Sequence, residues 1–195
     1  MEVTPESIDN MDNRVLVGKY WSTRMRRIVA VLGSALFFAL APGTVAGLVP
    51  WWISRWRFES PAIWWLPLRV AGCLVVAAGT LILLDSFARF AMKGLGTPAP
   101  IFPTRHLVVS GLYRYVRNPM YLAVVAVIFG QGLILVNARL LEYGAVVWLG
   151  FHLFVVAYEE PTLRTAFGQE YACFCNNVAR WIPRLTPWPH HSADG

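Results

Sequence analysis

Two adjacent carboxylates, Glu159 and Glu160, follow the last long apolar stretch and are the first candidates for chemistry. Carboxylates at the edge of the hydrocarbon are costly if they face lipid, so at least one should turn inward toward a cationic partner. Successive helical residues point about 100° apart, so the two side chains are expected to have different roles. The alternative is that both are hydrated where the chain leaves the membrane.

A second candidate is the start of the preceding apolar stretch, where Arg117, Asn118 and Pro119 stand in sequence. Asn is a favoured N-cap and Pro is favoured at the first helical position, so a helix should begin here. The free N–H groups at its start suit an anionic group such as a carboxylate. Arg117 adds a charged fork beside them. A capped helix with an arginine at headgroup level explains the same residues.

Three tyrosines, Tyr113, Tyr115 and Tyr121, cluster near this helix start. Aromatic faces attract cations, including a sulfonium, although tyrosines are also common at membrane interfaces without a ligand. His152 lies two turns before Glu159 on the same face. It is a candidate base, or else a packed and hydrogen-bonded residue of a membrane helix.

Two further sets of residues favour structural roles. Asp85 is expected to pair with Arg89, which lies one turn later on a helix. Cys173 and Cys175 form a C-x-C pair with no second pair of ligands, and no other cluster of ligating residues appears. The sequence therefore predicts no metal site.

The composition is that of a membrane protein. Of 195 residues 56% are hydrophobic and only 14% are charged, with a mean hydropathy of +0.49. Soluble domains carry roughly 25% charged residues, enough to cover a water-facing surface. The formal net charge of +6 is not accompanied by a nucleic-acid recognition motif, so we expect no nucleic-acid partner.

The pattern of apolar stretches predicts an all-α integral membrane protein with about four transmembrane helices. The predicted spans are 28–49, 66–84, 119–136 and 140–158. A cytoplasmic amphipathic helix should follow, because apolar residues recur at helical spacing from Leu163 to Val178. The chain thus divides into an N-terminal cytoplasmic segment (1–27), the first two spans (28–93) and a C-terminal region (94–195).

The distribution of basic residues sets the orientation. With the N-terminus inside, thirteen of the seventeen Lys and Arg residues fall in inner segments and four in outer ones. Inner loops carry the excess of positive charge, so both termini should be cytoplasmic. A compact chain with no evident organelle-targeting signal suggests a bacterial inner membrane.

Five short motifs occur in order in the second half of the chain. They are GTP at 96–98, LVVSGLYRYVRNPMY at 107–121, EEPTL at 159–163, FGQEY at 167–171 and VARWIP at 178–183. As an ordered set they resemble the isoprenylcysteine carboxyl methyltransferase family, which is related to the phospholipid N-methyltransferases. The resemblance covers about 94–184 and leaves the first two spans without a signature.

The resemblance implies that the last two spans and the tail enclose S-adenosylmethionine. The cofactor-binding residues that it implies are Arg105, His106, Leu107, Val108, Tyr113, Asn118, Pro119, Met120, Tyr121 and Glu159. Arg117, beside the helix start, is expected to assist. These assignments agree with the chemistry of the residues: a helix start for the methionine carboxylate, a glutamate for the ammonium or ribose hydroxyls, and aromatic rings near the sulfonium.

The sequence departs from the family pattern at two positions. Asn118 stands where the family often has His, and Asn can still cap the helix and form hydrogen bonds. Val155 stands where the isoprenylcysteine enzymes have an arginine for the substrate carboxylate. We therefore expect a different amphiphilic or lipid acceptor, methylated at oxygen, nitrogen or sulfur.

The expected reaction is an in-line methyl transfer, with Glu160 or His152 as the base if the acceptor must lose a proton. Two other functions remain open on the sequence alone. One is an NADPH-dependent reductase of lipid double bonds that shares a related membrane fold. The other is a non-catalytic membrane scaffold.

Overall fold

The computed structural model describes residues 40–58, 62–93, 107 and 109–189. Within these ranges every regular element is helical and there is no strand, which confirms the all-α prediction. The N-terminal segment, the beginning of the first predicted span and the Gly/Pro segment after 93 lie outside the described residues. So do three of the predicted cofactor residues: Arg105, His106 and Val108.

Five α-helices follow one another along the described chain. They are α1 (Val49–Ser54), α2 (Leu66–Lys93), α3 (Pro119–Leu135), α4 (Ala138–Phe154) and α5 (Glu160–Asn177). A π-helical turn, Thr44–Leu48, precedes α1, and another, Val155–Glu159, joins α4 to α5. Short 3₁₀ helices, Ile63–Trp65 and Gly111–Arg114, lead into α2 and α3.

Two helical stretches are long and apolar enough to cross a membrane. The most apolar 18 residues have a mean hydropathy of 2.1 within Ile63–Arg89 and of 1.8 within Ala138–Asn177. Helix α3 is apolar but has 17 residues, against the roughly 20 that a span usually needs. A turn of Val136 and Asn137 joins α3 to α4, where the side chain of Asn137 caps α4 by accepting from the Leu140 N–H. The two helices thus form a hairpin whose two-residue turn is one residue shorter than the gap between the predicted spans, 137–139.

The fourth predicted span does not end where a separate tail helix begins. Helix α4 continues through the π-helical turn into α5 without a break. A kink follows inside α5 at Gly168, whose backbone is non-helical (φ 49°, ψ −119°). The cause lies at Pro161, which has no N–H and would clash with the preceding turn of a regular helix. The wider π-helical turn Val155–Glu159 stands directly before it, and such bulges are a known way to pass a disruption without ending a helix.

A π-helical turn also precedes Pro50. Here side chains of other helices donate hydrogen bonds to the backbone carbonyls of the turn. Gln131 donates from Nε2 to the Ala46 oxygen over 2.7 Å. Tyr143 donates from its hydroxyl to the Val45 oxygen over 2.9 Å. Backbone groups inside a membrane must be satisfied within the protein. These two polar side chains on α3 and α4 therefore fix the first helix against the hairpin.

Helices α2 and α3 approach closely because glycines line their contact. A methyl group added at Gly130 would lie 2.6 Å from Cγ2 of Val76 and 2.9 Å from the Gly72 oxygen. One added at Gly79 would lie 3.0 Å from the Ala123 oxygen. Small residues of this kind allow membrane helices to pack backbone to backbone. The contact holds α2 against α3, whose first turn belongs to the candidate site described below.

Residues 178–189, which we call the C-terminal strap, return along the segment in front of α3. The Arg117 N–H donates to the Ala179 oxygen over 3.0 Å, and the Trp188 N–H donates to the Arg114 oxygen over 2.9 Å. A small hydrophobic core lies beneath the strap and consists of Tyr171, Phe174 and Val178. The side chains of Leu107, Phe167 and Trp188 pack against it. The strap thus covers the end of the α3–α4 hairpin opposite its turn.

We predict that Gly130→Ala lowers thermal stability whereas Gly150→Ala does not. A methyl group at Gly130 overlaps α2, and overpacking typically costs about 1–3 kcal/mol. Gly150 has no atom within 4 Å of the added methyl, and Ala is the better helix former by up to about 1 kcal/mol. Thermal unfolding in detergent measures both changes. Equal changes in the two variants would contradict the close packing of α2 and α3.

Candidate active site

The candidate site lies where α3 begins and the π-helical turn ends. Tyr121, in the first turn of α3, donates from its hydroxyl to Oε2 of Glu159 over 2.9 Å. The Phe151 ring packs on the Tyr121 ring with their centroids 4.7 Å apart. The structure thus joins two residues that the sequence predicted as cofactor ligands 38 positions apart.

Tyr113 belongs to the same group. Burial raises the pKa of its phenol above the usual range, and the negative charge of Glu159 raises this pKa further. Both effects disfavour the charged phenolate. Tyr113 therefore stays neutral near pH 7, so its ring and hydroxyl can contact a cationic or polar ligand.

Helix α3 begins at Pro119 with Asn118 at the N-cap, as the sequence predicted. The Asn118 side chain does not cap the helix, however. Its Nδ2 donates instead to the Arg180 oxygen in the strap over 3.3 Å. Because Asn118 supplies no capping oxygen, the N–H groups of the first turn can serve an anionic ligand. Met120, in the same turn, packs partly against the helix core.

The second glutamate, Glu160, is buried and holds the scaffold together. Arg180 donates from Nε to Oε1 over 2.6 Å and from NH2 to Oε2 over 2.9 Å. Arg117 donates from NH1 to Oε1 over 3.0 Å. The hydrogen bond to Glu160 raises the pKa of Arg180. Both oxygens of Glu160 are therefore engaged by cations, which makes the carboxylate a weak base.

Arg117 lies beside the start of α3, but its guanidinium turns toward the tail. The NH1 group that donates to Glu160 also lies 2.9 Å from Sγ of Cys175. Together with its backbone N–H, which donates to Ala179, these contacts fix the segment before α3 to α5 and the strap. Arg117 was predicted to add a charged group for the ligand at the start of α3. Instead, its contacts hold the start of α3 in place.

His152 is a packed, hydrogen-bonded residue. Its Nδ1 accepts from the indole N–H of Trp181 over 3.0 Å, and its ring stacks on Trp148 with centroids 5.5 Å apart. An Nδ1 that accepts requires the proton on Nε2 in the neutral ring.

Asp85 pairs with Arg89 over 2.7 Å, which confirms the predicted structural role of that pair.

The sequence did not identify the partners that the strap supplies. Arg180 and Trp181 stand in the VARWIP motif, but they lie 20 and 29 residues from the side chains that they contact. The one sequence feature that pointed to such partners was Glu160 itself, because a glutamate buried at the end of a span requires a cation. Among the described residues, no three His, Cys, Asp or Glu side chains are grouped as metal ligands would be.

Comparison with known families gives one match. Residues 68–170, more than half of the chain, match the family model described as phospholipid methyltransferase. The matched stretch contains Tyr113, Tyr121, Glu159 and Glu160. No curated protein matches the chain.

We predict that Glu160→Gln destabilises the protein far more than Asp85→Asn does. Removing the Glu160 charge leaves two arginines without their counter-ion at a site where the carboxylate is 9% exposed, and breaking such a pair costs about 3 kcal/mol or more. The Asp85–Arg89 pair is the matched control, because its side chains are 38–39% exposed. Exposed pairs contribute about 0–1 kcal/mol. Thermal unfolding of the two variants tests this, and a Glu160→Gln protein as stable as wild type would contradict it.

Proposed function

Because the chain belongs to the phospholipid methyltransferase family, we propose that it is an S-adenosylmethionine-dependent methyltransferase that acts on a lipid-like acceptor within the membrane. This family includes the isoprenylcysteine carboxyl methyltransferases, whose motifs the chain resembles. The observation that carries the proposal is the hydrogen bond between Tyr121 and Glu159 at the start of α3. It brings together an aromatic face, a carboxylate and an uncapped helix start.

We propose four spans with both termini in the cytoplasm of a bacterium. The first comprises 28–49, of which the described part packs against α3 and α4 through Gln131 and Tyr143. Helix α2 and helix α4 lie in the two long apolar stretches. Helix α3 completes the bundle between them and places the site at its inner end.

The residues fit S-adenosylmethionine by charge and hydrogen-bonding chemistry. The first-turn N–H groups of α3 suit its carboxylate, and Glu159 suits its ammonium or ribose hydroxyls. The rings of Tyr113 and Tyr121 suit the sulfonium. We assign the remaining contacts to the other cofactor residues that the resemblance implies: Arg105, His106, Leu107, Val108, Asn118, Pro119 and Met120. Arg117 contributes by fixing the helix start.

The protein's part in the reaction is to position the reactants and exclude water. S-adenosylmethionine, when bound, supplies an electrophilic methyl group on its sulfonium. Tyr121 is held by Glu159 on one side and Phe151 on the other, so its ring is fixed where it can face that charge. The acceptor enters from the bilayer side of the hairpin, and the strap closes the cytoplasmic side.

The two candidate bases are engaged in other contacts. Glu160 is held by Arg117 and Arg180, and Nδ1 of His152 accepts from Trp181. Proton transfer to either would first require these hydrogen bonds to open. We therefore favour an acceptor that reaches the site unprotonated and needs no base. Val155, in place of the family's substrate-binding arginine, argues against a prenylcysteine carboxylate as that acceptor.

Calorimetric titration of S-adenosylmethionine into the detergent-purified protein tests the proposal. We expect saturable binding to wild type and at least about tenfold weaker binding to Glu159→Gln, since a hydrogen bond to a charged group contributes about 1.5–3 kcal/mol. Tyr121→Phe should weaken binding about fivefold, because it removes the hydroxyl that orients Glu159. Glu170→Gln is the matched control, because Glu170 lies exposed on α5.

The same titration with NADPH separates the alternatives. A folded wild-type protein that binds NADPH and not S-adenosylmethionine would be a reductase. A folded protein that binds neither would be a scaffold. Unchanged S-adenosylmethionine affinity in Glu159→Gln would leave the methyltransferase in place but overturn the assignment of Glu159.

A further inference from the structure

The C-terminal strap reaches back to the level of the membrane. Trp181 donates its indole N–H to His152, and its ring also lies 6.2 Å from that of Trp148. His152 precedes Glu159, at the proposed inner boundary, by seven residues. At about 1.5 Å per helical residue this places His152, and Trp181 with it, about 10 Å nearer the bilayer centre than Glu159. A purely cytoplasmic tail could not make these contacts.

Two apolar side chains close to Trp181 in the strap are exposed. Ile182 is 75% exposed and Leu185 is fully exposed. On α4, Leu149 lies about one turn before His152 and Leu153 directly follows it, and these leucines are 49% and 58% exposed. The apolar surface of the membrane-spanning helix therefore continues onto the strap.

The backbone of the strap suits a medium of low polarity. Pro183, Pro187 and Pro189 have no N–H to satisfy. The N–H of Arg184 donates to the Tyr115 oxygen over 2.9 Å. The strap carbonyls of Ala179 and Arg180 also accept hydrogen bonds from the segment before α3. Irregular backbone is tolerated near lipid where protein satisfies its polar groups.

We propose that the strap is an interfacial membrane anchor, with Ile182 and Leu185 inserted among the acyl chains of the inner leaflet. Trp181, whose indole is apolar with one polar N–H, is the residue type that occupies this depth. The occupant of the exposed apolar surface is thus lipid, and neither a protein partner nor a second copy of the chain. The anchor fixes the strap across the inner end of the site independently of what the site binds.

Photolabelling of the unmodified full-length protein tests the anchor. The protein is reconstituted in nanodiscs of phosphatidylcholine that carries a diazirine near the ester end of one acyl chain. Illumination is followed by digestion with trypsin, which cuts after Arg139, Arg164, Arg180 and Arg184. Mass spectrometry then separates the strap peptides 181–184 and 185–195 from the peptide 165–180 of α5 and the peptide 140–164 of the spanning helix.

We expect lipid adducts on 140–164 and on both strap peptides, with Ile182 and Leu185 as labelled residues, and little on 165–180. Leu185→Asp should lower the labelling of 185–195 several-fold, and its full exposure means that the fold tolerates the change. Strap peptides unlabelled beside a labelled 140–164 would overturn the anchor. So would labelling of 165–180 equal to that of the strap, or unchanged labelling in Leu185→Asp. No label on 140–164 would overturn the anchor and the membrane topology together.

Discussion

Glu160 accepts hydrogen bonds from Arg117 and Arg180 and so ties together three parts of the chain. Arg117 stands before α3, Glu160 begins α5, and Arg180 lies in the strap. Every other feature of the site depends on this junction. It fixes the start of α3 beside the π-helical turn, and that placement puts Tyr121 within 2.9 Å of Glu159. It also draws the strap across the end of the hairpin opposite its turn.

Two neighbouring carboxylates can serve such different purposes because they lie on one helix. Their side chains point about 100° apart, so one faces the α3 tyrosines and the other faces the arginines. The π-helical turn Val155–Glu159 ends between them and sets this division at the point where Pro161 would otherwise break the helix. The π-helical turn that accommodates Pro161 thus also positions Glu159, the residue that we assign to the cofactor.

Local signals in the sequence predicted the all-helical class, the start of α3 and one surface contact. The N-cap and proline preferences located the start of α3 at Pro119, and helical spacing located the Asp85–Arg89 pair. The continuity of α4 with the first part of α5 was missed because the chain becomes polar from Glu159 onward. Whether a π-helical turn absorbs a proline depends on packing around it, which no local pattern records.

Contacts between distant residues could not be predicted from one sequence. Nothing in the spacing indicates that Arg180, rather than Arg164 or Arg184, would pair with Glu160. The same holds for Gln131 and Tyr143, whose acceptors are carbonyls 85 and 98 residues away. The tail is predicted to be cytoplasmic because its composition is polar. The contact between Trp181 and His152, on which the proposed anchor rests, joins residues 29 positions apart and has no local signal.

The most direct test of methyl transfer uses S-adenosylmethionine with a tritiated methyl group and membranes from the native source, which contain the acceptor. Purified wild-type protein and Glu159→Gln are added in parallel, and radioactivity in the solvent-extracted lipid fraction is counted. We expect wild type to transfer label into that fraction and Glu159→Gln to transfer at most about a tenth as much, the loss that corresponds to about 1.4 kcal/mol. Saturable cofactor binding without any label in the lipid fraction would contradict a methyltransferase of lipid-like acceptors.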